Sequence, residues 1–400
     1  MNITTTTLAT LVLAASPLIA DSFMLLDIDG SVRPVQITNI GSTGIEVIDS
    51  EDGFTTLSRD DCIAFLRPVP YPTRTSRPII HLHDGQSLPG RMKDGSDGDH
   101  IIWEHPWIGD LNIPVDRIDR IILNGSSILH GTDTESDSDT VRLLNGDVVE
   151  GFVTSISPLV RIETDSGSVP VQIEIHHDRI SEIDLFGERV ESLDPMVWSN
   201  DGTVVHLPTI GVGVDGHLVV GRHMYASDAQ VEMEPGPHLQ SIHTISFSGS
   251  AIHPLGTLDI ISLEGPETRM IIPSPHTTDP SAPLELSPVE FRGPLTIRYR
   301  IPEGHYRLRA TIRMPASASR WGDCDLAILV DGVERHRCLF NSDQLEHPVD
   351  IMVSGDVLEF RLGEGANGPV QDHIRFEYGV LLPMGPSSVR TFDETLEGPE

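Results

Sequence analysis

The sequence predicts an all-β protein in which tandem small β-barrel or meander repeats are followed by a jelly-roll β-sandwich. Helical periodicity is nearly absent, and apolar residues instead alternate with polar ones in short runs. The 35 glycines and 30 prolines interrupt these runs, and Asp-Gly or Asn-Gly pairs recur between them, as in β-hairpins. With 400 residues, of which 38% are hydrophobic, the chain is long enough for more than one packed domain.

The first element is an uncharged N-terminus, and residues 1–20 are predicted to be a signal peptide. The apolar run over residues 8–20 is too short to span a membrane but has the length of a signal-peptide core. The alternative is an apolar N-terminus without a targeting role. With cleavage, the mature protein is expected to be extracellular or periplasmic, and no later segment has the length of a membrane span.

Three predicted repeats follow, over residues 21–70, 78–130 and 140–190. Each copy has a turn Asp or Asn followed 32 or 33 residues later by an Asp that precedes the closing apolar run. The quoted starts are LLDIDGSVRPV, IIHLHDGQSLPG and TVRLLNGDVVEG, and the closing runs are LSRDDCIAFL, IPVDRIDRIIL and IEIHHDRISEIDLF. A fourth start, VWSNDGTVVHL, places a degenerate repeat at 195–240, which would connect to the sandwich.

The closing isoleucines of the repeats, Ile118 and Ile121 or Ile180 and Ile183, are spaced to fill a small core. About 45 residues of this kind make a small five-stranded barrel or half of a sandwich. Over residues 21–187 the pattern resembles Sm-like or SH3-like small barrels. Units this small bury little surface alone, so we expect them to pack on one another.

The last folded element is a sandwich over residues 241–385, followed by an acidic tail at 386–400. Its strands are longer, and each alternates apolar with polar positions, as a strand with one buried face does. Examples are HYRLRATIRM, DLAILVDG and DVLEFRLGEG. Polar connections are expected at 131–139 and 271–283.

Residues 284–383 resemble the NPCBM carbohydrate-binding modules, which have a galactose-binding-like jelly-roll fold. The resemblance rests on LAILVDG, VDIMVSGDVLEFRL and GEGANGPVQDHIRFEYGVLL in that order. The chain departs from the family at Phe376, where the family has Trp, and at FRGPLTIRY, where a G-x-G-x-H stretch is expected. The resemblance implies a sandwich that binds carbohydrate.

Sugar recognition needs an aromatic platform and a few polar groups. The predicted ligand-binding residues are Trp321, Asp323, Asp372 and Tyr378. Trp321 lies in the loop SASRWGDCD, and the alternative role for its side chain is a lid on the sandwich. Asp372 opens the last strand, and it would alternatively accept hydrogen bonds from backbone N–H groups of the preceding loop.

A calcium site is a further possibility, with Asp325 and Asp372 as ligands together with carbonyls of the loop at 363–368. Ca²⁺ accepts such mixed carboxylate and carbonyl oxygens. No other cofactor is expected.

Three cysteines are too few for a disulfide scaffold. Cys324 and Cys338 flank a predicted hairpin, and a G1 bulge at Gly332 would place them opposite each other as a disulfide. A tight two-residue turn would instead leave them one position out of register.

The net charge of −33 excludes nucleic acid and anionic membranes as partners, because their phosphates would be repelled. The sequence has no nucleophile elbow, zinc-protease or phosphate-loop motif, so no catalytic residue is assigned. The leading hypothesis is a secreted, non-catalytic protein that binds a glycan or cell-surface polysaccharide. The alternatives are a structural module of the cell envelope with a protein partner and, third, a glycoside hydrolase.

Overall fold

Nearly every regular element of the protein is a β-strand, as a computed structural model shows. Within the described residues there is no α-helix, and thus no helix long and apolar enough to cross a membrane. The predicted signal peptide, the acidic tail and most of the linker at 131–139 lie outside the described residues. The structure describes residues 22–28, 31–41, 44–49, 53–69, 71, 77–96, 98–124, 138–165, 170–188, 190, 195–207, 210–213, 215–221, 233–248, 252–266, 275–277, 282–365, 368 and 371–384.

The N-terminal half contains four copies of one meander, in which a hairpin is followed by middle strands, a 3-10 turn and a closing strand. Repeat 1 comprises β1 (Phe23–Asp27), β2 (Val32–Ile40), β3 (Ile45–Asp49), β4 (Gly53–Leu57) and β5 (Cys62–Leu66). Repeat 2 comprises β6 (Ile79–Leu82), β7 (Ser87–Pro89), β8 (Arg91–Met92), β9 (His100–His105), β10 (Gly109–Pro114) and β11 (Ile118–Ile122). Repeat 3 comprises β12 (Asp139–Leu143), β13 (Val148–Ser155), β14 (Val160–Asp165), β15 (Pro170–Ile175) and β16 (Ile180–Asp184). Repeat 4 comprises β17 (Met196–Ser199), β18 (Val204–His206), β19 (Ile210–Val212), β20 (His217–Gly221), β21 (Met233–His238) and β22 (Ile242–Ser246).

Local chemistry explains why each copy folds alike. The hairpin-turn glycines Gly85, Gly146 and Gly202 have φ of 82°, 91° and 92°, a region that suits a residue without a Cβ atom. The 3-10 turns before the closing strands are Arg59–Asp61, Val115–Arg117, His177–Arg179 and Leu239–Ser241.

The repeats do not close into barrels within the part of the chain that the structure describes. In each repeat the closing strand pairs with the first strand, while the strand just before the closing strand (β4, β10, β15 or β21) pairs only with the strand before it. The reason is that the free edge of each closing strand is occupied by another repeat. The result is one open sheet of 16 strands and two separate three-stranded sheets.

Closing strands join the repeats in two pairs. Repeats 2 and 3 pair through Ile121 opposite Ile183, and repeats 1 and 4 pair through Phe65 opposite Ile245. The closing isoleucines of repeats 2 and 3, at positions 118, 121, 180 and 183, are all 0% exposed, as the sequence predicted. The strand of repeat 4 in this pairing, Ile242–Ser246, follows the expected boundary at residue 240 and belongs to the large sheet.

A third joint connects the two pairs, between β7 of repeat 2 and β18 of repeat 4. It has a single ladder pair, Ser87 opposite Val204. The backbone N–H of His206 also donates to Oε1 of Gln86 at 3.0 Å. We call this contact the central joint.

His105 is buried at the central joint, with 1% of its surface exposed. Its Nδ1 accepts hydrogen bonds from the backbone N–H groups of Trp107 and Ile108. The proton therefore resides on Nε2, which donates to Oγ1 of the buried Thr203 at 2.9 Å. Protonation of Nδ1 would remove an acceptor from two N–H groups.

This geometry predicts that acid weakens the fold through His105. Burial lowers the pKa of His105 from 6.5 to about 4; the Asp201 charge opposes the shift and the Arg77 charge adds to it. Below pH 6.5 His105 is protonated in the unfolded chain, whereas in the folded chain it stays neutral until about pH 4. The free energy of unfolding therefore decreases as the pH falls from 6.5 to 4. Between pH 6.5 and 4 we expect wild type to lose on the order of 3 kcal/mol more than His105→Gln, measured by urea unfolding. Parallel pH profiles for the two proteins would contradict this.

The C-terminal part is a sandwich of two facing antiparallel sheets, as predicted. One sheet has the order β25-β26-β33-β28-β31, with β23 also pairing with β33, and the other has the order β24-β27-β32-β29-β30. The strands are β23 (His253–Pro254), β24 (Ile260–Glu264), β25 (His276–Thr277), β26 (Val289–Arg292), β27 (Leu295–Arg300), β28 (Tyr306–Arg313), β29 (Cys324–Val330), β30 (Val333–Phe340), β31 (Glu346–Val353), β32 (Val357–Leu362) and β33 (His373–Pro383).

An aromatic cluster fills the space between the two sheets. Phe376 on β33 lies 4.8 Å from Phe291 and 5.1 Å from Phe360, measured between ring centroids. A separate apolar cluster joins the sandwich to repeat 1, where Leu26 and Ile63 pack with Val380 and Leu382 among others. The two halves of the chain therefore share buried surface.

The predicted disulfide is wrong in this structure, in which all three cysteines are free and buried. The hairpin uses the tight turn, with φ of 49° at Asp331 and 78° at Gly332, and Val330 lies opposite Val333. A bulge farther along shifts the register again, so Cys338 lies opposite Leu326 and not opposite Cys324. Burial, first among the causes, raises the pKa of each thiol to about 12.

Candidate ligand site at one end of the sandwich

A compact turn presents Trp321 between β28 and β29. The N–H groups of Ala318 and Gly322 donate to the carbonyls of Pro315 and Ala318, both at 2.8 Å. Ala318 is 3% exposed and anchors the turn in the core, whereas Trp321 is 51% exposed. The Arg320 guanidinium carbon lies 5.4 Å from the centroid of the indole ring, which is within range of a cation–π contact.

The segment after Trp321 packs against the segment that opens β33. Gly322 lies so close that a Cβ atom there would be 2.8 Å from the carbonyl oxygen of Gln371. The backbone N–H of Asp323 lies 3.4 Å from Oδ1 of Asp372, to which it donates. The structure thus brings together three of the four predicted ligand-binding residues, Trp321, Asp323 and Asp372.

Asp372 is 3% exposed and forms part of the wall of the site. Its Oδ1 accepts a hydrogen bond from the Asp323 backbone, and its carbonyl accepts one from the N–H of Gly293 at 2.7 Å. Asp372 therefore accepts backbone hydrogen bonds, which was the alternative role predicted for it. The donors belong to Asp323 and Gly293, however, and not to the loop that precedes Asp372. It also lines the pocket, so the two roles coexist.

A pocket of about 320 Å³ opens at this end of the sandwich. Its lining residues are Arg292, Gly293, Ser317, Ala318, Gln371, Asp372 and His373. Three chain segments supply them: the turn between β26 and β27, the turn that carries Trp321, and the start of β33. Such convergence of separate loops at the end of a rigid sandwich is typical of ligand sites.

The polar groups of the pocket form a charged network around Glu290. His373 Nε2 lies 3.1 Å from Oε2 of Glu290, and Arg292 Nη2 lies 3.9 Å from the same oxygen. Because Glu290 offsets the positive charge of the Arg292 guanidinium, the pocket offers N–H donors without being strongly cationic. The site can donate and accept hydrogen bonds within a small volume.

Of the seven lining residues only Asp372 was predicted from the sequence, and Arg292, Gln371 and His373 are among those that were not. Arg292 belongs to FRGP, the stretch in which the expected family motif is absent, and a Gly-Pro turn between two strands was its available signal. Gln371 has φ of 61°, a conformation that the sequence does not predict. His373 was considered structural or exposed, and it combines a contact with the Glu290 carboxylate with a position in the pocket wall.

Tyr378, the fourth predicted ligand-binding residue, does not reach the pocket. It lies six residues beyond Asp372 on β33, about 20 Å along an extended strand. At this point the pairing of β33 with β28 shifts register, and Tyr378 has φ of 50°. Its 44% exposure therefore reflects a bulge on the opposite half of the strand.

Asp325, one of the two expected calcium ligands, is engaged by a basic side chain of the neighbouring strand, and its part in a calcium site stays a prediction. Asp325 forms an ion pair with Arg337, which also bonds Glu334 at 2.7 Å. Cys324 faces the core, and the neighbouring Asp325 faces outward to Arg337, because side chains alternate along β29. Within the described part of the chain, no three His, Cys, Asp or Glu side chains are placed to hold a metal ion.

A second concavity, of about 430 Å³, lies in repeat 2 between β9 and β10. Its lining includes His100, Asp110 and Asn112. Asp110 pairs with Lys93 at 2.7 Å, and both side chains are well exposed to water. Neither pocket has Phe, Tyr or Trp among its described lining residues, but the turn that supplies Ser317 and Ala318 to the sandwich pocket carries the exposed Trp321.

No sequence family and no curated protein matches the chain. Among solved structures, the chain is similar to the CBM51 of Clostridium perfringens GH95 in complex with methyl-galactose. Identity is 11%, the TM-score is 0.26, and the match covers 32% of this chain and 99% of that one.

Two further similar structures come from Clostridium perfringens ZmpB. The CBM51-2 and INT domains, with GlcNAc, match at 11% identity and a TM-score of 0.28 over 46% of this chain and 43% of that one. The M60 catalytic domain with CBM51-1 and CBM51-2 matches at 9% identity and a TM-score of 0.28 over 91% of this chain and 52% of that one. The chain therefore spans only about half of each ZmpB structure, and with every TM-score below 0.3 these are likenesses only.

Proposed function

We propose that the protein is an exported, non-catalytic glycan-binding protein whose ligand site is the pocket at the end of the sandwich. The observation that carries the proposal is that the turn bearing the half-exposed Trp321 also supplies Ser317 and Ala318 to the wall of the pocket, which Arg292, Gln371, Asp372 and His373 complete. A sugar ring offers one apolar C–H face and a rim of hydroxyl groups. An aromatic side chain next to convergent polar groups matches both features.

The chemistry of the pocket favours a neutral sugar. The guanidinium of Arg292 and the imidazole of His373 donate N–H groups, and both already face Glu290. A pocket of about 320 Å³ has room for a terminal monosaccharide of a longer chain. The acidic surface, at −33 overall, would repel polyanionic polysaccharides and leaves neutral ones unaffected.

Two features support a binding role without catalysis. Glycoside hydrolysis uses two carboxyl groups on opposite sides of the bond that is cleaved. Among the described lining residues Asp372 is the one carboxylate, and its Oδ1 already accepts the N–H of Asp323.

Export is supported by the apolar segment at residues 1–20.

The expected result is that the full chain is retained on a glycan array or on insoluble polysaccharide, with and without Ca²⁺. Trp321→Ala should weaken binding about tenfold or more, because an aromatic contact with a sugar supplies on the order of 1–2 kcal/mol. Arg292→Ala should have a similar effect through the loss of a charged donor.

Phe54→Ala is the matched control for Trp321→Ala, because it removes an aromatic side chain that is 65% exposed on the edge strand β4. It should bind as wild type does. Failure of the wild-type chain to bind any glycan would remove the proposal, and equal binding by all variants would move the site elsewhere.

A structural role in the cell envelope is the second candidate. One observation favours it specifically: four repeats are fused edge to edge into a sheet of 16 strands. Such an extended sheet suits a spacer or scaffold that carries the sandwich. A scaffold of this kind would show a protein partner after crosslinking and no change in thermal stability with sugars.

A further inference from the structure

Left-handed backbone is adopted by a few residues other than glycine. Positive φ brings the Cβ atom close to the backbone, so the conformation costs free energy unless another contact offsets that cost. Residues held in this way cluster at functional sites. Within the described part of the chain, the non-glycine residues with positive φ are Leu284, Glu285, Asp331, Gln371 and Tyr378.

Four of these five residues have a structural reason for the conformation. Asp331 lies in a tight turn, and its Oδ1 accepts two backbone N–H groups at the start of β32, at 3.0 and 2.9 Å. Tyr378 lies where the pairing of β33 with β28 shifts register. Leu284 and Glu285 belong to a 3-10 turn, and Leu284 packs against the apolar cluster that joins the sandwich to repeat 1.

The side chain of Gln371 has no comparable structural role among the described contacts. Its φ is 61°, the side chain is exposed, and within the described residues its amide forms no hydrogen bond. The backbone alone is engaged, because a Cβ atom at Gly322 would be 2.8 Å from the carbonyl oxygen of Gln371. Glycine would therefore satisfy the backbone at this position, and what it could not supply is the amide.

The Gln371 amide lies in the wall of the pocket at the end of the sandwich, among polar groups that face partners within the protein. His373 Nε2 faces Glu290 at 3.1 Å, and Oδ1 of Asp372 accepts the N–H of Asp323. The amide of Gln371 offers both an acceptor oxygen and a donor N–H₂ group. A hydroxyl group both donates and accepts, so it can bond either end of the amide, whereas a carboxylate or phosphate can use the nitrogen alone.

We propose that Gln371 is the specificity-determining residue of this pocket, and that its amide hydrogen-bonds one hydroxyl group of a bound neutral hexose. The inference rests on the proposed glycan-binding function and adds the group that reads the sugar. The left-handed backbone is then retained for the sake of the side chain, at a cost in stability.

The binding test is titration calorimetry of the full chain with methyl glucoside, methyl galactoside and methyl mannoside. The best-bound hexoside is then compared with its monodeoxy analogues. Wild type should bind one of these analogues about three- to tenfold more weakly than the parent, as the loss of one hydrogen bond predicts. Gln371→Ala should bind the parent more weakly by a similar factor and should no longer distinguish that analogue from the parent, because the two changes remove the same bond.

A stability test separates the side chain from its backbone conformation. Gln371→Gly should bind the parent hexoside as weakly as Gln371→Ala does, because both lack the amide. Without sugar, however, Gln371→Gly should melt about 1–3 °C above Gln371→Ala, since only glycine relieves the left-handed strain. Should Gln371→Ala fail to fold, Gln371→Asn takes its place in the binding test, because Asn tolerates positive φ and its amide is shorter by one methylene.

Tyr378→Ala is the matched control, because it removes an exposed side chain at a φ of 50° on the same strand but outside the pocket. It should bind as wild type does. If Trp321→Ala weakens binding and Gln371→Ala does not, the glycan site stands and the role of Gln371 is overturned. If wild type binds none of the hexosides and no glycan on the array, the proposed function falls and this inference falls with it. A Gln371→Gly protein that melts no higher than Gln371→Ala would also overturn the inference, because the left-handed conformation would then cost nothing.

Discussion

Phe376→Ala is expected to destabilise the sandwich by about 4 kcal/mol, because removing a fully buried aromatic side chain costs about 3–5 kcal/mol. Phe376 is 0% exposed. Its ring contacts Phe291 in its own sheet and Phe360 in the facing sheet. Truncation would therefore open a cavity between the two layers, and the flanking rings cannot close it without leaving their own contacts.

Urea unfolding, with hydrogen exchange at β32 and β33 to assign the transition to the sandwich, measures the effect. Leu339→Ala is the control, because Leu339 is 57% exposed on β30 of the same sandwich. It should change stability by less than about 0.5 kcal/mol. A loss below about 1 kcal/mol for Phe376→Ala would mean that the aromatic cluster does not hold the two sheets together.

Trp103→Ala should have a comparable effect in the N-terminal half, a loss of about 4 kcal/mol. Trp103 is 0% exposed on β9, and its indole N–H donates to the carbonyl of Leu88 at 2.9 Å. Gly90 lies against the indole, where a Cβ atom would be 2.4 Å from Nε1. The indole therefore fixes the bend by which the chain leaves β7 and enters β8.

Trp103→Phe separates the two parts of this effect. It keeps most of the apolar volume but leaves the Leu88 carbonyl without its donor, so the expected loss is about 1–2 kcal/mol. Thermal unfolding combined with hydrogen exchange at β7 and β18 provides the measurement. Protection at β18 that is unchanged in Trp103→Ala would show that the central joint does not depend on repeat 2 packing.

The repeats were predictable because their signals are local. An Asp-Gly or Asn-Gly turn demands positive φ, and a closing run such as that from Ile118 to Ile122 needs a buried face, whatever the rest of the chain does. The pairing of closing strands was not predictable, because Ile121 opposite Ile183 depends on which edges are left open after each repeat folds. The sequence suggested small closed barrels for the same reason. In the structure the closing strand of each repeat instead pairs with the closing strand of another repeat, so the barrel stays open.

The candidate site was predictable in part. Trp321, Asp323 and Asp372 share one end of the sandwich, since loops that connect the ends of facing sheets converge there. Arg292 and Gln371 were missed because their positions depend on the approach of two turns that are distant in sequence. Cys324 and Cys338 failed as a pair because register after a bulge differs by single residues, which turn composition does not determine.

The nested pairing of the repeats has a consequence in time. The inner partners, repeats 2 and 3, are neighbours in the chain, whereas the outer partners, repeats 1 and 4, must enclose them. The loop closed by Phe65 and Ile245 is about three times as long as that closed by Ile121 and Ile183, which adds about 1 kcal/mol of closure entropy. A ribosome that synthesises this chain from its N-terminus releases repeat 1 long before its partner exists. One edge of β5 therefore stays unpaired until repeats 2 and 3 have been synthesised and β22 of repeat 4 is available to pair with it.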